Sequence, residues 1–274
     1  MGTTSNEAWP LRVLIAGGGT GGHLFPGLAI AEALHARQPQ ADIRFAGSPF
    51  GIEAHAVPRQ GYRLYSIPVR GLYQVPWRQR FWVLAMLPVA LLRCLWALAS
   101  FRPHIVIGVG GYASGPMLAT ALLLRKLVVI QEQNAWPGLT NRLLGRWVHT
   151  GFVPVAGLER FFRRTQVLGT PVRQAILALR NEPRAESREK PPAQRSVPCL
   201  LVIGGSQGAR VINRAMVAAL PLLKVRGVLP RITHQTGVAD LELVRAGYAE
   251  QGVEAEVLPF IEDMAAVYRD SRLI

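Results

Sequence analysis

Residues 11–22 read LRVLIAGGGTGG, an apolar run that passes directly into a cluster of glycines. The run predicts a β-strand over residues 11–16, and the apolar spacing of residues 26–36 predicts a helix. A strand, a glycine-rich turn and a helix in this order are typical of the first βαβ unit of a Rossmann-like domain, where backbone N–H groups at the helix N-terminus face a phosphate. The stretch therefore predicts a phosphate-binding turn at its glycines.

The same alternation continues along the chain. Short uninterrupted apolar runs, which suit a parallel sheet covered on both faces, alternate with longer helical patterns. The strands predicted after the first lie at residues 43–46, 104–109, 127–130, 199–203, 231–235 and 255–258. The helices predicted after the first lie at residues 81–101, 116–125, 139–147, 209–223 and 241–251. The sequence thus predicts an α/β protein with doubly wound, parallel sheets.

A charged, proline-rich stretch, NEPRAESREKPPAQRSVP, divides this pattern in two. It predicts a linker at residues 181–198, between an N-terminal Rossmann-like domain at residues 1–180 and a C-terminal one at residues 199–274. We expect a ligand cleft between the two domains. Because only three strands are predicted in the C-terminal domain, we expect its sheet to be incomplete.

The charge of the chain is uneven. Its 274 residues carry a formal net charge of +14, and residues 1–180 hold 19 basic and 6 acidic side chains. Between residues 54 and 158 there are eleven Lys and Arg but a single acid, Glu132. Such a one-sided field predicts an anionic partner, which could be a nucleic acid, a phosphorylated substrate or an anionic membrane surface. A general compositional preference for Arg is the alternative.

Cysteine usage and the N-terminus bear on the compartment. The two cysteines, Cys94 and Cys199, have no metal-ligand spacing, which argues against a disulfide scaffold and against a cysteine-based zinc site. Residues 1–10 carry neither the charged nor the apolar part of a secretory signal. We therefore expect the chain to stay in the cytosol.

The uncharged run FWVLAMLPVALL occupies residues 81–92 and is flanked by arginines. Twelve residues with a central proline are too few for a transmembrane helix, which needs ~20. The run predicts either an ordinary buried helix or a membrane patch, in which aromatic side chains enter the bilayer surface and arginines contact the headgroups. The residues of this predicted membrane patch are Trp77, Arg78, Arg80, Phe81 and Trp82.

Two further glycine turns follow predicted strands, at residues 108–115 and 204–209. The turn at residues 17–22 has the G-x-G-x-x-G spacing of a dinucleotide site. However, the second strand ends in Ala46-Gly47-Ser48, with no acid where a ribose-binding Asp or Glu is expected, which argues against NAD. No Gly-Lys-Ser/Thr follows its glycines, which excludes a Walker A loop. Three glycine turns at the carboxyl ends of strands together predict ligands that contain pyrophosphate.

Five motifs of the chain, in this order, resemble the MurG family of bacterial peptidoglycan glycosyltransferases (glycosyltransferase family 28). They are GGTGGH at residues 18–23 with Pro26-Gly27, GGY at 110–112 with Ser114-Gly115, EQN at 132–134, TPVR at 170–173 and GGSQGA at 204–209. The resemblance implies a GT-B fold and an inverting transfer of N-acetylglucosamine from UDP-N-acetylglucosamine to the muramyl 4-hydroxyl of lipid I. It also implies a peripheral position on the cytoplasmic face of the inner membrane. UDP-N-acetylglucosamine, lipid I and an anionic membrane surface are then the expected partners, and nucleic acid is not.

The resemblance also implies roles for single residues. His23 is the candidate general base, with a structural histidine at the helix start as the alternative, and Glu132 is the rival base or the partner that orients an arginine. Because no Asp-x-Asp occurs in the chain, we expect no metal and no cofactor, and we expect glycine-loop N–H groups to hold the diphosphate. Tyr112 and Asn141 are expected on the acceptor side. The expected donor contacts are Thr20, Gly21, Gly22, Asn134, Arg173, Ser206 and Ile261.

The chain departs from the family pattern in two places. Gln131 stands where the family often has a histidine before Glu-Gln-Asn. The family also continues past Asp270 with another strand, a helix that carries a ribose-binding Glu, and a Gln-Gln motif, and we expect none of these in this chain. A truncated, non-catalytic module that binds lipid I or the membrane is therefore an alternative function. A nucleic-acid-binding protein is a second alternative, although its basic residues are not interleaved with stacking aromatics.

Overall fold

The computed structural model describes residues 10–71, 78, 81, 85–181 and 199–274. The chain divides into two compact units, the first ending at Arg173 and the second beginning at Gln174. Apart from Asn181, the predicted linker at residues 181–198 lies outside the described residues. Each unit is an α/β layer structure with a parallel sheet, so the predicted fold class of two Rossmann-like domains is confirmed.

The first unit contains a seven-stranded parallel sheet of order β3-β2-β1-β4-β5-β6-β7. This order reverses direction between β1 and β4, which makes the carboxyl ends of these two strands the topological switch point where such sheets bind ligands. The strands are β1 (Arg12–Gly17), β2 (Asp42–Gly47), β3 (Arg63–Ser66), β4 (Ile105–Gly110), β5 (Leu127–Gln131), β6 (Thr150–Val153) and β7 (Thr165–Val167).

Helices cover both faces of this sheet. Val13 and Ile15 of β1 pack into one buried cluster, whereas Leu14 and Ala16 pack into another on the opposite face. Because both faces are buried, the strand reads as a continuous apolar run rather than an alternating one. The helices are α1 (Gly21–Arg37), α2 (Glu53–Arg59), α3 (Leu87–Phe101), α4 (Ser114–Leu123) and α5 (Leu139–Leu144), and a 3₁₀ turn spans Glu159–Phe161.

Four of these helices have bounds that differ from the sequence prediction. α4 spans Ser114–Leu123 rather than residues 116–125. α1 begins at Gly21 rather than residue 26, because the glycines that were predicted to form only a turn already belong to its first turn. α3 is assigned from Leu87 rather than residue 81, with a proline in its first turn, where the missing N–H costs no hydrogen bond. α5 ends at Leu144 rather than residue 147.

The second unit contains a four-stranded parallel sheet of order β10-β9-β8-β11. Its strands are β8 (Cys199–Ile203), β9 (Arg231–Gln235), β10 (Ala255–Leu258) and β11 (Ser271–Leu273). Its helices are α6 (Gln174–Ala178), α7 (Arg210–Val225), α8 (Leu241–Glu250) and α9 (Met264–Asp270). The prediction of three strands was wrong, since β11 pairs with β8 on the side opposite β9.

The predicted membrane patch belongs only in part to the described residues. Trp77, Arg80 and Trp82 lie outside the described residues, while Arg78 is exposed and the Phe81 side chain is 70% exposed. Further along, α3 exposes Leu92 and Trp96 on one face, while Cys94 and Leu98 on its other face pack in the core. Among the described residues, no helix is long and apolar enough to cross a membrane.

Candidate active site

Two glycine loops meet at the switch point of the first unit. Gly17 at the end of β1 lies opposite Gly110 at the end of β4, so the loops that follow run side by side. A Cβ at Gly111 would collide with the Gly18 carbonyl oxygen, and Gly111 has a φ of +81°, a conformation that favours glycine. The close approach of the two backbones therefore requires glycine at this position.

His23 is the third residue of α1 and lies between these loops. Its Nδ1 is 2.9 Å from the Thr20 hydroxyl oxygen, and the Cδ2–Nε2 edge of the ring faces Gly110. Burial lowers the pKa of His23 below its usual 6.5, and the charges of Glu132 and Glu53 oppose this effect. The ring is therefore neutral at pH 7 and can accept a proton, and the two carboxylates can stabilise the imidazolium that would form.

Glu132 follows β5 and is 1% exposed. One carboxylate oxygen, Oε1, accepts hydrogen bonds from the backbone N–H groups of Gln133 and Asn134 and from the Asn134 side-chain amide, at 2.9–3.0 Å. The other, Oε2, accepts from the Gly138 N–H and the Asn141 amide, at 3.0 and 2.9 Å. Five donors saturate a carboxylate, so little acceptor capacity is left for a substrate proton.

Asn141 lies buried on α5 beside the same glycine loop. Its Nδ2 donates to Glu132 and also lies close to Gly110, on the side that His23 faces. Its Oδ1 is buried and has no hydrogen-bond partner in the part of the chain that the structure describes. An unpaired buried carbonyl oxygen is costly, so Asn141 presents an acceptor that a bound hydroxyl could satisfy. The amide of Gln131 is likewise buried without a partner among the described residues.

Sequence reasoning missed Glu53, the first residue of α2, which is 0% exposed. Its Oε2 accepts a hydrogen bond of 2.7 Å from the Gly19 N–H, and its Oε1 accepts one of 2.9 Å from the Ser48 N–H. A Cβ at Gly18, Gly47 or Gly51 would collide with the Glu53 side chain. The only signal in the sequence was an acid among glycines after the second strand, which the motif search did not cover.

Three further residues of the first unit were predicted to contact a substrate, and they lie in different surroundings. The Tyr112 ring packs against Gly19, so it lies at the switch point. Asn134 is exposed, but its side-chain amide donates to Glu132. Arg173 pairs with Glu32 of α1, with Nε 2.9 Å from Oε1, and its Nη2 is 3.4 Å from the Gln60 oxygen. Arg173 therefore already has a carboxylate partner.

The second unit brings its predicted residues to the carboxyl ends of β8 and β10. Ser206 lies half-buried in the glycine loop after β8, and Ile261 lies buried after β10. The Ile261 N–H donates a 2.7 Å hydrogen bond to Gln235 Oε1, so the donor of its backbone is already engaged. That Ile261 binds a ligand through its backbone stays a prediction, and the hydrogen bond to Gln235 leaves the carbonyl as the backbone group for it.

Behind this loop lies a buried polar network that the sequence analysis did not identify. Asn213, in the first turn of α7, donates to the Thr236 carbonyl and to Asp240 at 2.9 and 3.0 Å. His234 places Nε2 3.1 Å from Asn213 Oδ1 and Nδ1 3.2 Å from the Tyr248 hydroxyl. Burial lowers the pKa of His234 to about 4. The network connects the start of α7 by hydrogen bonds to β9 and to the segment between β9 and α8. Through His234 it also reaches α8.

The described residues contain no group of three His, Cys, Asp or Glu side chains that could hold a metal ion. The titratable groups at the switch point of the first unit include one neutral imidazole and two buried carboxylates. This set can move a proton at a hydroxyl, while glycine loops and helix N-termini can stabilise a leaving anion.

Comparison with known proteins agrees with this arrangement. The family model described as the glycosyltransferase family 28 N-terminal domain matches residues 13–153, and that of the C-terminal domain matches residues 199–274. A UDP-N-acetylglucosamine–N-acetylmuramyl-(pentapeptide) pyrophosphoryl-undecaprenol N-acetylglucosamine transferase of Syntrophotalea carbinolica is 45% identical. The alignment spans 96% of this chain and 72% of that relative. The Myxococcus xanthus protein of the same name is 41% identical, over 96% and 67%.

Solved structures give the same result. The crystal structure of Acinetobacter baumannii MurG matches with a TM-score of 0.62 and 30% identity, over 96% of this chain and 72% of that one. A UDP-GlcNAc 2-epimerase from Neisseria meningitidis matches with a TM-score of 0.61 but 14% identity, over 95% and 76%, and therefore shares the fold alone. Both domain models, the curated relatives and the MurG structure agree, and the chain belongs to glycosyltransferase family 28.

Proposed function

We propose that this protein transfers N-acetylglucosamine from UDP-N-acetylglucosamine to the muramyl sugar of lipid I, which completes the disaccharide of lipid II. The observation that carries the proposal is the 45% identity to a relative named for this reaction, over 96% of the chain. The geometry of the site supports the chemistry, since glycosyl transfer to a hydroxyl needs a base for the hydroxyl proton and a site that holds the leaving diphosphate.

His23 is the general base of the proposed reaction. Burial keeps its imidazole neutral, and with Nδ1 engaged by Thr20 the Nε2 edge faces the space beside Gly110. The acceptor hydroxyl oxygen attacks the anomeric carbon, its proton passes to His23, and the bond from that carbon to the diphosphate oxygen breaks as UDP leaves. The attack comes from the face opposite UDP, so the anomeric configuration inverts.

Glu132 positions the acceptor rather than accepting its proton. Its two oxygens already receive five hydrogen bonds, two of which fix the side chains of Asn134 and Asn141. With its amide held in this way, Asn141 directs its unpaired Oδ1 toward a donor, for which an acceptor hydroxyl is suited. Tyr112, whose ring packs against Gly19, lines the same side.

The second unit supplies the proposed donor site. Ser206 and the loop N–H groups after β8 bind the diphosphate, and the carbonyl of Ile261 binds the uracil. Thr20, Gly21, Gly22 and Asn134 complete the donor contacts from the first unit. Arg173 is proposed as a diphosphate ligand only if it exchanges Glu32 for phosphate oxygens, which its guanidinium can bind through two N–H groups.

The protein also binds an anionic membrane surface, on the cytoplasmic side of the inner membrane, through the patch at residues 77–82 and the outer face of α3. In support, α3 exposes Leu92 and Trp96, and α4, which packs against it, exposes Leu123 near its end. Arg93 lies exposed on the same helix. Apolar side chains with flanking arginines suit a bilayer surface with anionic headgroups.

The test is transfer of radiolabelled N-acetylglucosamine to a soluble lipid I analogue. We expect transfer from UDP-N-acetylglucosamine, loss of about 10²–10⁴-fold in kcat for His23→Ala, and little change in donor KM. His35→Ala is the matched control, because His35 is exposed at the other end of α1. Binding of the analogue without any transfer would instead identify the alternative, a non-catalytic lipid-binding module.

A further inference from the structure

We infer that Gln235 is a positioning residue that sets the spacing between the two halves of the donor site in the second unit. The inference rests on the proposed use of UDP-N-acetylglucosamine, because it concerns how a ligand that spans diphosphate and uracil is recognised. Gln235 is the last residue of β9, the strand between β8 and β10, and it is 2% exposed.

The side-chain amide of Gln235 bridges the loops that follow both neighbouring strands. Its Nε2 donates a 2.8 Å hydrogen bond to the Gly205 carbonyl, in the glycine loop after β8. Its Oε1 accepts a 2.7 Å hydrogen bond from the Ile261 N–H, after β10. In the sheet, Gln235 pairs with Ile203 on one side and with Leu258 on the other. These are the last residues of β8 and β10, so Gln235 lies level with the points where both loops begin.

The glutamine side chain matches the polarity of this bridge. One loop presents a carbonyl and the other an N–H, so the bridging group must donate at one end and accept at the other. A carboxylate would accept at both ends and repel the Gly205 carbonyl, and an asparagine would be one methylene too short to reach both loops. The fixed polarity of the two backbone partners also determines the orientation of the amide.

The glycine loop depends on such a support because it has few side chains of its own. Gly205 has a φ of +83° and Gly208 one of +73°, and a Cβ at Gly208 would collide with the Thr236 carbonyl oxygen. The Gly205 carbonyl also accepts a 3.0 Å hydrogen bond from the Gly208 N–H. Holding this carbonyl inward, toward Gln235, leaves the outer side of the loop free to face an anion.

The consequence is selective. Inorganic pyrophosphate needs the glycine loop alone, whereas UDP must contact both this loop and the segment at Ile261. Loss of the bridge should therefore lower the affinity for UDP, which spans both loops, more than the affinity for pyrophosphate, which contacts one. A residue that merely stabilises the sheet would weaken both ligands equally.

The experiment measures inhibition constants of UDP and of inorganic pyrophosphate in the transfer assay, for the wild type, Gln235→Leu and a control. The control is Thr233→Val, because Thr233 lies two residues earlier on the same strand, is also buried, and also makes a side-chain hydrogen bond, to Glu256. For Gln235→Leu we expect the UDP constant and the donor KM to rise about tenfold, with the pyrophosphate constant and kcat within about twofold of wild type.

Several outcomes would overturn the inference. An unchanged UDP constant would show that the bridge does not matter, and an equal loss for UDP and pyrophosphate, or the same pattern in Thr233→Val, would show a structural role alone. If Gln235→Leu fails to fold, Gln235→Asn keeps an amide that reaches one loop, and the same selective loss is expected of it. Absence of both transfer and UDP binding in the wild type would refute the proposed function itself.

Discussion

Acidification should destabilise the second unit through one buried histidine. The pKa of His234 is lowered to about 4 by burial, while in the unfolded chain it has the usual value of 6.5. Below pH 6.5 the unfolded chain therefore binds a proton at His234 that the folded chain does not bind. The contribution of His234 to the free energy of unfolding is therefore fully present above pH 6.5 and is lost as the pH falls toward 4. A tenfold change in proton affinity is worth ~1.4 kcal/mol, so the full loss is about 3 kcal/mol.

The hydrogen bonds of His234 explain why it resists protonation. Asn213 uses its amide group to donate to Thr236 and Asp240, so its oxygen faces His234 and requires an N–H at Nε2. The other nitrogen, Nδ1, then accepts from the Tyr248 hydroxyl. Protonation would place a second N–H at Nδ1 and would bury a charge with no carboxylate hydrogen-bonded to the ring.

Urea unfolding between pH 7.5 and 4 measures this effect. All six tryptophans lie before residue 174, so tryptophan fluorescence reports the first unit, and far-UV circular dichroism reports both units. His234→Gln cannot titrate, so we expect its second-unit transition to lose about 3 kcal/mol less than that of the wild type over this range. His35→Gln, at an exposed position, is the control. Equal pH dependence in His234→Gln and the wild type would refute the reasoning.

Three further predictions concern the first unit. Glu132→Gln should lower kcat but retain the acidic limb of the pH–rate profile, whereas loss of that limb would make Glu132 the base. Glu53→Gln leaves one of the two backbone N–H groups without an acceptor. We expect the free energy of unfolding, measured by urea and tryptophan fluorescence, to fall by about 1–3 kcal/mol. An unchanged value would contradict a supporting role for Glu53. Leu92→Ser should weaken flotation of the protein with anionic vesicles. Leu222 on α7 is about as exposed as Leu92, and Leu222→Ser should leave flotation unchanged. Equal vesicle binding by both variants would exclude α3 from the membrane contact.

The buried strands could be predicted closely from the sequence. The predicted bounds of β8, β9 and β10 agree with the structure, because each is a short run with apolar residues that turn residues delimit. β8 and β9 are the two inner strands of their sheet, and β10 lies at its edge. β3 was missed because its four residues, RLYS, lie at the sheet edge, none of them is fully buried, and they carry little apolar signal. β11 was missed because three residues are too few for any period to be visible.

The candidate site could be predicted only in part. Glycine turns after strands indicate where a ligand binds, because the carboxyl ends of parallel strands meet at one edge. The partners of the polar side chains depend on tertiary contacts, which no spacing in the sequence reveals. Glu53 reaches a glycine 34 positions earlier, and Gln235 bridges loops 30 and 26 positions away. Such residues were therefore invisible to a motif search.

The supports of the two glycine loops differ in a way that bears on what each loop can bind. In the first unit the support is a carboxylate, Glu53, which occupies the Gly19 N–H and places negative charge beneath the loop. In the second unit it is a neutral amide, Gln235, which occupies the Gly205 carbonyl and adds no charge. An anion is stabilised by free N–H groups and repelled by a nearby carboxylate. We therefore expect the second loop to bind the diphosphate more strongly, and the first to serve mainly to hold His23 against the acceptor hydroxyl.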